Sequence, residues 1–215
     1  MSKDYEIVPL FVTPVVLVDV PDAAALNADL RKVIEQREKS HPGTQASNMG
    51  GYQSSWDMDR WGGAPAIKLL AITRNLANRM TTDREGTPGS GPHPGFFAVT
   101  WRANMWANIN RTGQGNEAHC HPGAYWSAVY YVDDGGASDA SLGGALEFMD
   151  PRGAMPRMYA PHLGFAVQGG LSSGANEALQ PKAGRLVLFP SWLLHQVRPY
   201  RGNATRISIA MNLSL

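Results

Sequence analysis

Ala103-Asn104-Met105-Trp106-Ala107-Asn108-Ile109-Asn110 alternates with a period of two. Successive side chains of an extended chain point to opposite faces. Ala103, Met105, Ala107 and Ile109 therefore form an apolar face that can take helices. Asn104, Trp106, Asn108 and Asn110 share the other face. Three amides are out of place in a dry sandwich interior, but they suit the wall of a wet cavity. The last strand-like run repeats the pattern: Arg206, Ser208, Ala210 and Asn212 lie on one face, and Ile207, Ile209, Met211 and Leu213 on the other. In 127–132, Ser127, Val129 and Tyr131 oppose Ala128, Tyr130 and Val132. Polar inward faces on separate strands point to a site inside a barrel.

Around this stretch, five strand-like runs are expected at 96–110, 117–132, 144–149, 185–189 and 205–213, joined by loops at 133–143 and 150–180. Upstream, residues 7–18 read as extended, β-branched and buried, with Pro9 and Pro14 arguing for a sheet edge or a break. Pro21-Asp22 opens a helix to about Lys39, with Leu26, Leu30, Val33 and Ile34 on one stripe. Residues 41–52 read as a loop. A second helix runs from Pro65 to Met80, with Ile67, Leu70, Leu76 and Met80 as its apolar face and Pro65 well placed at a first helical position. Residues 83–95 read as a flexible connector. No 20–50-residue repeat is visible, which argues against a solenoid or propeller. Helices followed by strands give an α+β class, with the N-terminal helices packed on one face of a β sandwich or barrel. The expected unit is one domain over 1–215, with 1–95 supporting the 96–215 core.

A chain of 215 residues can bury most of its apolar surface without staples, and its single cysteine, Cys120, allows no internal disulfide. The 19 Lys and Arg balance 18 Asp and Glu with no basic run, which argues against nucleic acid as the main partner. The early apolar run is too short and too proline-broken to span a bilayer, and it lacks the marks of a secretory leader. A cytoplasmic protein with no membrane partner is expected.

The chemistry gathers at Asn116-Glu117-Ala118-His119-Cys120-His121-Pro122-Gly123. Two imidazoles at i and i+2 of an extended segment share a face. A third, His195, follows in Leu188-Phe189-Pro190-Ser191-Trp192-Leu193-Leu194-His195. Three such ligands can close one face of a metal and leave the other open, as in non-haem iron oxygenases. Read alone, His119 and His121 could equally be an exposed pair or a hydrogen-bonded core histidine. Cys120 points away from its neighbours and reads as an inert thiol. His41, His93 and His162 lie in Gly/Pro-rich loops and read as solvated. Tyr130 and Trp192 read as packing, and Asp150-Pro151-Arg152 as a turn or a rim contact.

The ordered set His119-x-His121, Val129-Tyr130-Tyr131-Val132, Gly143 to Phe148, Gly184 to Pro190, His195 and Arg206-Ile207-Ser208-Ile209 resembles the double-stranded β-helix oxygenases that use iron(II) and 2-oxoglutarate. The prolyl-hydroxylase-like branch is nearest in strand order, and a bacterial group of such oxygenases is nearest in the motifs around Trp106 to Asn110 and Pro190 to His195. The resemblance implies a double-stranded β-helix, a jelly-roll or cupin-like barrel, and an enzyme, a 2-oxoglutarate-dependent non-haem iron dioxygenase of hydroxylase type. It would couple 2-oxoglutarate decarboxylation to oxidation of a small-molecule or peptide substrate, with Fe(II), 2-oxoglutarate and O2 as cofactor and co-substrates. It implies His119, His121 and His195 as metal ligands. His121 stands where the family usually has Asp or Glu; Glu117, two residues before His119 on the same face, is the alternative third ligand. Arg206 and Ser208 match a carboxylate anchor, a planar fork plus a hydroxyl. Tyr131 matches a tyrosine reaching the same carboxylate, and Asn108, or next to it Asn110, a contact near the metal. For Arg206 alone, a surface salt bridge is the plain reading. A three-histidine set also suits zinc; the alternative is a three-histidine zinc or iron cupin-like metalloenzyme that does not use 2-oxoglutarate. The sequence leaves open the prime substrate and whether the chain forms a homo-oligomer.

Overall fold

The computed structural model describes residues 6–8, 10–89, 99–153, 159–166 and 174–215. In chain order its elements are β1 (Val16–Asp19), α1 (Ala23–Ser40), β2 (Asn48–Met49), β3 (Tyr52–Gln53), α2 (Met58–Trp61), α3 (Gly63–Arg79), β4 (Arg102–Asn110), β5 (Gly115–His119), β6 (Trp126–Asp133), β7 (Leu146–Phe148), β8 (Glu177–Leu179), β9 (Arg185–Pro190), β10 (His195–Val197) and β11 (Arg206–Ser214). Two sheets result. The major sheet has the order β1-β9-β6-β11-β4-β3 and the minor sheet β2-β5-β10-β7-β8. Every pairing within them is antiparallel. This is the expected double-stranded β-helix, with helices on one face.

Period-two alternation builds both layers. Met105, Ala107 and Ile109 of β4, Ala128, Tyr130 and Val132 of β6, and Ile207, Ile209, Met211 and Leu213 of β11 pack with the helices in one core. Tyr131, Leu146, Phe148, Val187, Phe189 and Leu193 form a second core between the sheets. α1 buries Leu26, Leu30 and Ile34. Leu30, Ile34 and Leu69 are fully sequestered, each contributing about 1.5–3 kcal/mol of hydrophobic stabilisation. The Tyr130 hydroxyl donates to Asn27 Oδ1 at 2.6 Å, and Arg31 pairs with Asp133, fixing α1 on β6. Gly184, at φ +83°, leads into β9, and a Cβ there would lie 2.7 Å from Ala23 Cβ; glycine lets the turn and the start of α1 touch.

Several expectations are corrected. The run 7–18 is not buried: Ile7, Val8, Leu10, Phe11 and Val12 are exposed, and only Val16–Asp19 forms a strand, at the sheet edge that the prolines suggested. α3 buries Leu70 and packs Leu76 against the core as expected, but its inward face is centred on Ala66, Leu69, Thr73 and Ala77. Ile67 is 51 % exposed and Met80 39 %. Small residues at 66, 73 and 77 let the helix lie close to the sheet, an advantage that hydrophobicity alone does not reveal. The stretch 41–52, read as a loop, holds β2 and the start of β3, and 150–180 contains β8. The run 117–132 divides at a turn into β5 and β6. Residues 83–89 of the connector make an ordered turn in which Asp83 Oδ1 accepts from the Glu85 and Thr87 amides. The rest of that connector, His93 included, lies outside the described residues. Trp192 is 54 % exposed rather than core.

Candidate metal and co-substrate site

β5 and β10 are antiparallel neighbours, and their register sets His119 directly opposite His195. Directly opposed side chains in such a ladder start about 5 Å apart at Cβ. His121 lies just past the end of β5, where its amide donates to the Ser191 carbonyl at 2.9 Å. That bond ties the turn after β5 to the corner between β9 and β10. Ring centroids are 4.5 Å apart for His119–His195, 4.9 Å for His119–His121 and 5.2 Å for His121–His195. One ligand atom from each ring lies within 4.8 Å of the others. Glu117 is exposed and does not belong to this group; its backbone carbonyl meets His119 Nδ1 at 2.6 Å.

A carbonyl only accepts, so His119 Nδ1 carries the hydrogen, and so does His195 Nδ1, which donates to the Leu193 carbonyl at 2.8 Å. Each ring therefore keeps an unprotonated Nε2 for a cation. His121 is oriented by packing: the Trp106 ring meets it edge-on at 5.7 Å. Burial pulls the His119 pKa down. Burial, helped by neighbouring His119, brings His121 to about 4. Burial, with His119 next, brings His195 to about 3. All three rings are neutral at physiological pH, the state a metal requires of imidazole. The donor set fits a first-row divalent ion with open positions.

The facing wall is built by β4, β6 and β11. Arg206 opens β11, is 1 % exposed, and sits with its guanidinium carbon 5.3 Å from the Tyr131 ring. Its Nη1 donates to Asn110 Oδ1 at 2.9 Å and reaches Ser208 Oγ at 3.4 Å. Its Nε and Nη2, the Tyr131 hydroxyl and Asn108 Oδ1 are buried without a partner. Burial depresses the Arg206 pKa and raises that of Tyr131. Unmet buried polar groups cost about 1–3 kcal/mol each, and charged ones more, so this wall calls for an anion with hydrogen-bonding oxygens. Arg206, Ser208, Tyr131, Asn108 and the three histidines line one cavity of about 40 Å³. The residues therefore fit both an ion and a carboxylate-bearing co-substrate. A larger cleft of about 440 Å³, lined by Glu147, Arg198 and Arg201, touches none of these groups.

Ser47 and Asn116 also line the cavity, and sequence reasoning missed both. The Ser47 hydroxyl accepts from Asn116 Nδ2 at 3.2 Å and lies 3.4 Å from His119 Nε2. Ser47 belongs to a stretch read as loop. Asn116 is spaced from His119 by three residues, which carries no strand-face signal.

Residues 104–212 match the family model described as "Putative 2OG-Fe(II) oxygenase". The chain belongs to this 2OG-Fe(II) oxygenase family. The oxygenase is accordingly an enzyme that takes iron(II), 2-oxoglutarate and dioxygen, and the alternative without 2-oxoglutarate is set aside. Its fold is shared with a Pseudomonas putida prolyl-4-hydroxylase at TM-score 0.62 and 17 % identity, over 94 % of this chain and 92 % of that one. A Trichoplax adhaerens prolyl hydroxylase, solved with a hypoxia inducible factor peptide fragment, matches at 0.62 and 15 %, over 93 % and 83 %. A non-heme alpha ketoglutarate dependent epimerase, SnoN of nogalamycin biosynthesis, matches at 0.62 and 12 %, over 94 % and 76 %. At these identities the likeness is one of fold. No curated protein matches the oxygenase in sequence. Among the described residues no helix is long and apolar enough to cross a membrane.

Proposed function

We propose that the oxygenase hydroxylates a small molecule or peptide, holding iron(II) on His119, His121 and His195 and the distal carboxylate of 2-oxoglutarate on Arg206. The observation that carries this reading is a shared cavity with three neutral imidazoles on one wall and a buried guanidinium with two unpartnered N–H groups on the other. Iron and 2-oxoglutarate, when bound, supply dioxygen activation with release of succinate and carbon dioxide. The protein residues orient and shield. Arg206 offers Nε and Nη2 to the carboxylate, Ser208 adds a hydroxyl, and Tyr131 presents a phenol that burial keeps protonated. Asn108 Oδ1, buried without a partner in the same cavity, offers an acceptor. Leu146 and Phe189 give the cavity part of its apolar lining, and Phe148 packs behind them against Phe189 and His195. All 215 residues work as one oxygenase domain, with 1–95 as scaffold. The lone cysteine accords with a cytoplasm that keeps iron ferrous. A peptide substrate is supported by the Trichoplax adhaerens likeness, and a small molecule by the epimerase.

Anaerobic titration tests this directly. Iron(II) followed by 2-oxoglutarate should give the visible charge-transfer band of a chelate. Arg206→Ala should weaken 2-oxoglutarate binding and leave iron stoichiometry unchanged. If neither ligand is affected, the anchor lies elsewhere.

A further inference from the structure

Arg206 is a fully buried cation whose hydrogen-bond partners are neutral. Its Nη1 bonds an amide oxygen and reaches a hydroxyl, and an aromatic ring lies beside it. Among the described residues no carboxylate pairs with it. Asp134 acts on it only through space, and the Asp134 oxygens are taken by the Gly136 and Ala183 amides. The residue directly opposite Arg206 in the β4–β11 ladder is Asn110, itself 1 % exposed. Room for that amide comes from Gly51, where a Cβ would stand 2.8 Å from Asn110 Nδ2.

We infer that Asn110 is a positioning and charge-selecting residue for the co-substrate: it pins one arm of Arg206 with a neutral acceptor, so that the guanidinium keeps its charge and turns its Nε and Nη2 N–H groups toward a dicarboxylate. The inference rests on the proposed role of Arg206. A carboxylate at 110 would hold the same arm equally well. It would also neutralise the fork and repel the tail of 2-oxoglutarate, because charges separated this little in a low-dielectric interior interact strongly. The amide is thus selected for lacking charge as much as for accepting a hydrogen bond. Asn110 is not among the residues that line the cavity, and it acts through Arg206.

The test compares two 2-oxoacids on iron(II)-loaded protein without oxygen, by calorimetry: 2-oxoglutarate and 2-oxopentanoate, which has the same head on an uncharged tail. The near-isosteric Asn110→Asp should weaken 2-oxoglutarate about tenfold or more, the scale of one charge-assisted hydrogen bond, and leave 2-oxopentanoate within about twofold to threefold. Iron stoichiometry and circular dichroism should match the wild type. Asn110→Ala should weaken 2-oxoglutarate several-fold and spare 2-oxopentanoate, and it decides the matter if the aspartate variant does not fold. Equal losses for both acids, or none for either, would overturn the inference, since a purely structural role cannot distinguish the tails. Arg206→Ala in the same series separates the two levels. If it erases the preference for 2-oxoglutarate while the Asn110 variants keep it, only the Asn110 role fails. If Arg206→Ala keeps the preference, the proposed anchor itself fails.

Discussion

The two walls of the cavity are made by opposite means. The histidine wall comes from short, irregular pieces of the minor sheet: five residues of β5, three of β10 and the turn that follows β5. The register between β5 and β10 shifts after the His195–His119 pair. The arginine wall comes from β4, β6 and β11: β4 and β11 are nine residues each and paired along their whole length, while the β6–β11 register shifts once, between Ile207 and Ser208. Backbone carbonyls orient two of the three rings on the first wall, and side chains orient Arg206 on the second. Irregular backbone lets three rings converge from two segments. A long, regular ladder can bury a charge without collapsing around it.

The comparison can be broken most severely at the histidine wall. His195→Ala should abolish iron retention and turnover, read by metal analysis and succinate release, while circular dichroism stays native. Arg206→Lys is the next test. It keeps the charge and loses the planar fork, so 2-oxoglutarate affinity should fall about tenfold to hundredfold with iron binding unchanged. Loss of iron in that variant would mean that the walls are not independent. Removing the metal should lower the melting temperature by about 5–10 °C relative to protein held at about one hundred times the metal dissociation constant. In that metal-free protein His121 and His195 titrate near 4 and 3, against about 6.5 in an unfolded chain. The unfolded state takes up protons first, so stability is complete above about pH 6.5 and falls as pH drops toward those values. A metal-free protein more stable at pH 5 than at pH 7 would contradict this. Ser208→Ala should have the smallest effect, a few-fold loss of 2-oxoglutarate affinity, because Ser208 Oγ lies at 3.4 Å from Arg206 and is the weaker of its two partners.

The arginine wall was the more legible in the sequence. Alternation along 103–110, 127–132 and 206–213 separated the helix-facing side chains from the others, because a strand has one period and long strands repeat it, although Asn104 is exposed and of the three amides only Asn108 lines the cavity. The histidines were legible as a set, but their geometry was not. His121 converges from a turn and not from a strand face, and the role of Ser191 in holding that turn has no local signature. β2, β3, β8 and β10 run only two or three residues, too short for any periodicity to show. α3 misled because Ile67 and Met80 attract attention by hydrophobicity, whereas close approach to the sheet favours Ala66 and Ala77. The apolar run at 7–12 misled for a similar reason: hydrophobicity signals a preference for burial without supplying a surface to be buried against.

The opposition of His119 and His195 has a topological consequence. These positions are far apart along a chain with a single cysteine, so no disulfide can shorten its loops. A cation gripped by both rings is a clip across that long span, and clips closing long loops are the ones from which chain entropy gains most. The same ion that serves chemistry then does the work of a cross-link, reversible and dependent on a supply of metal.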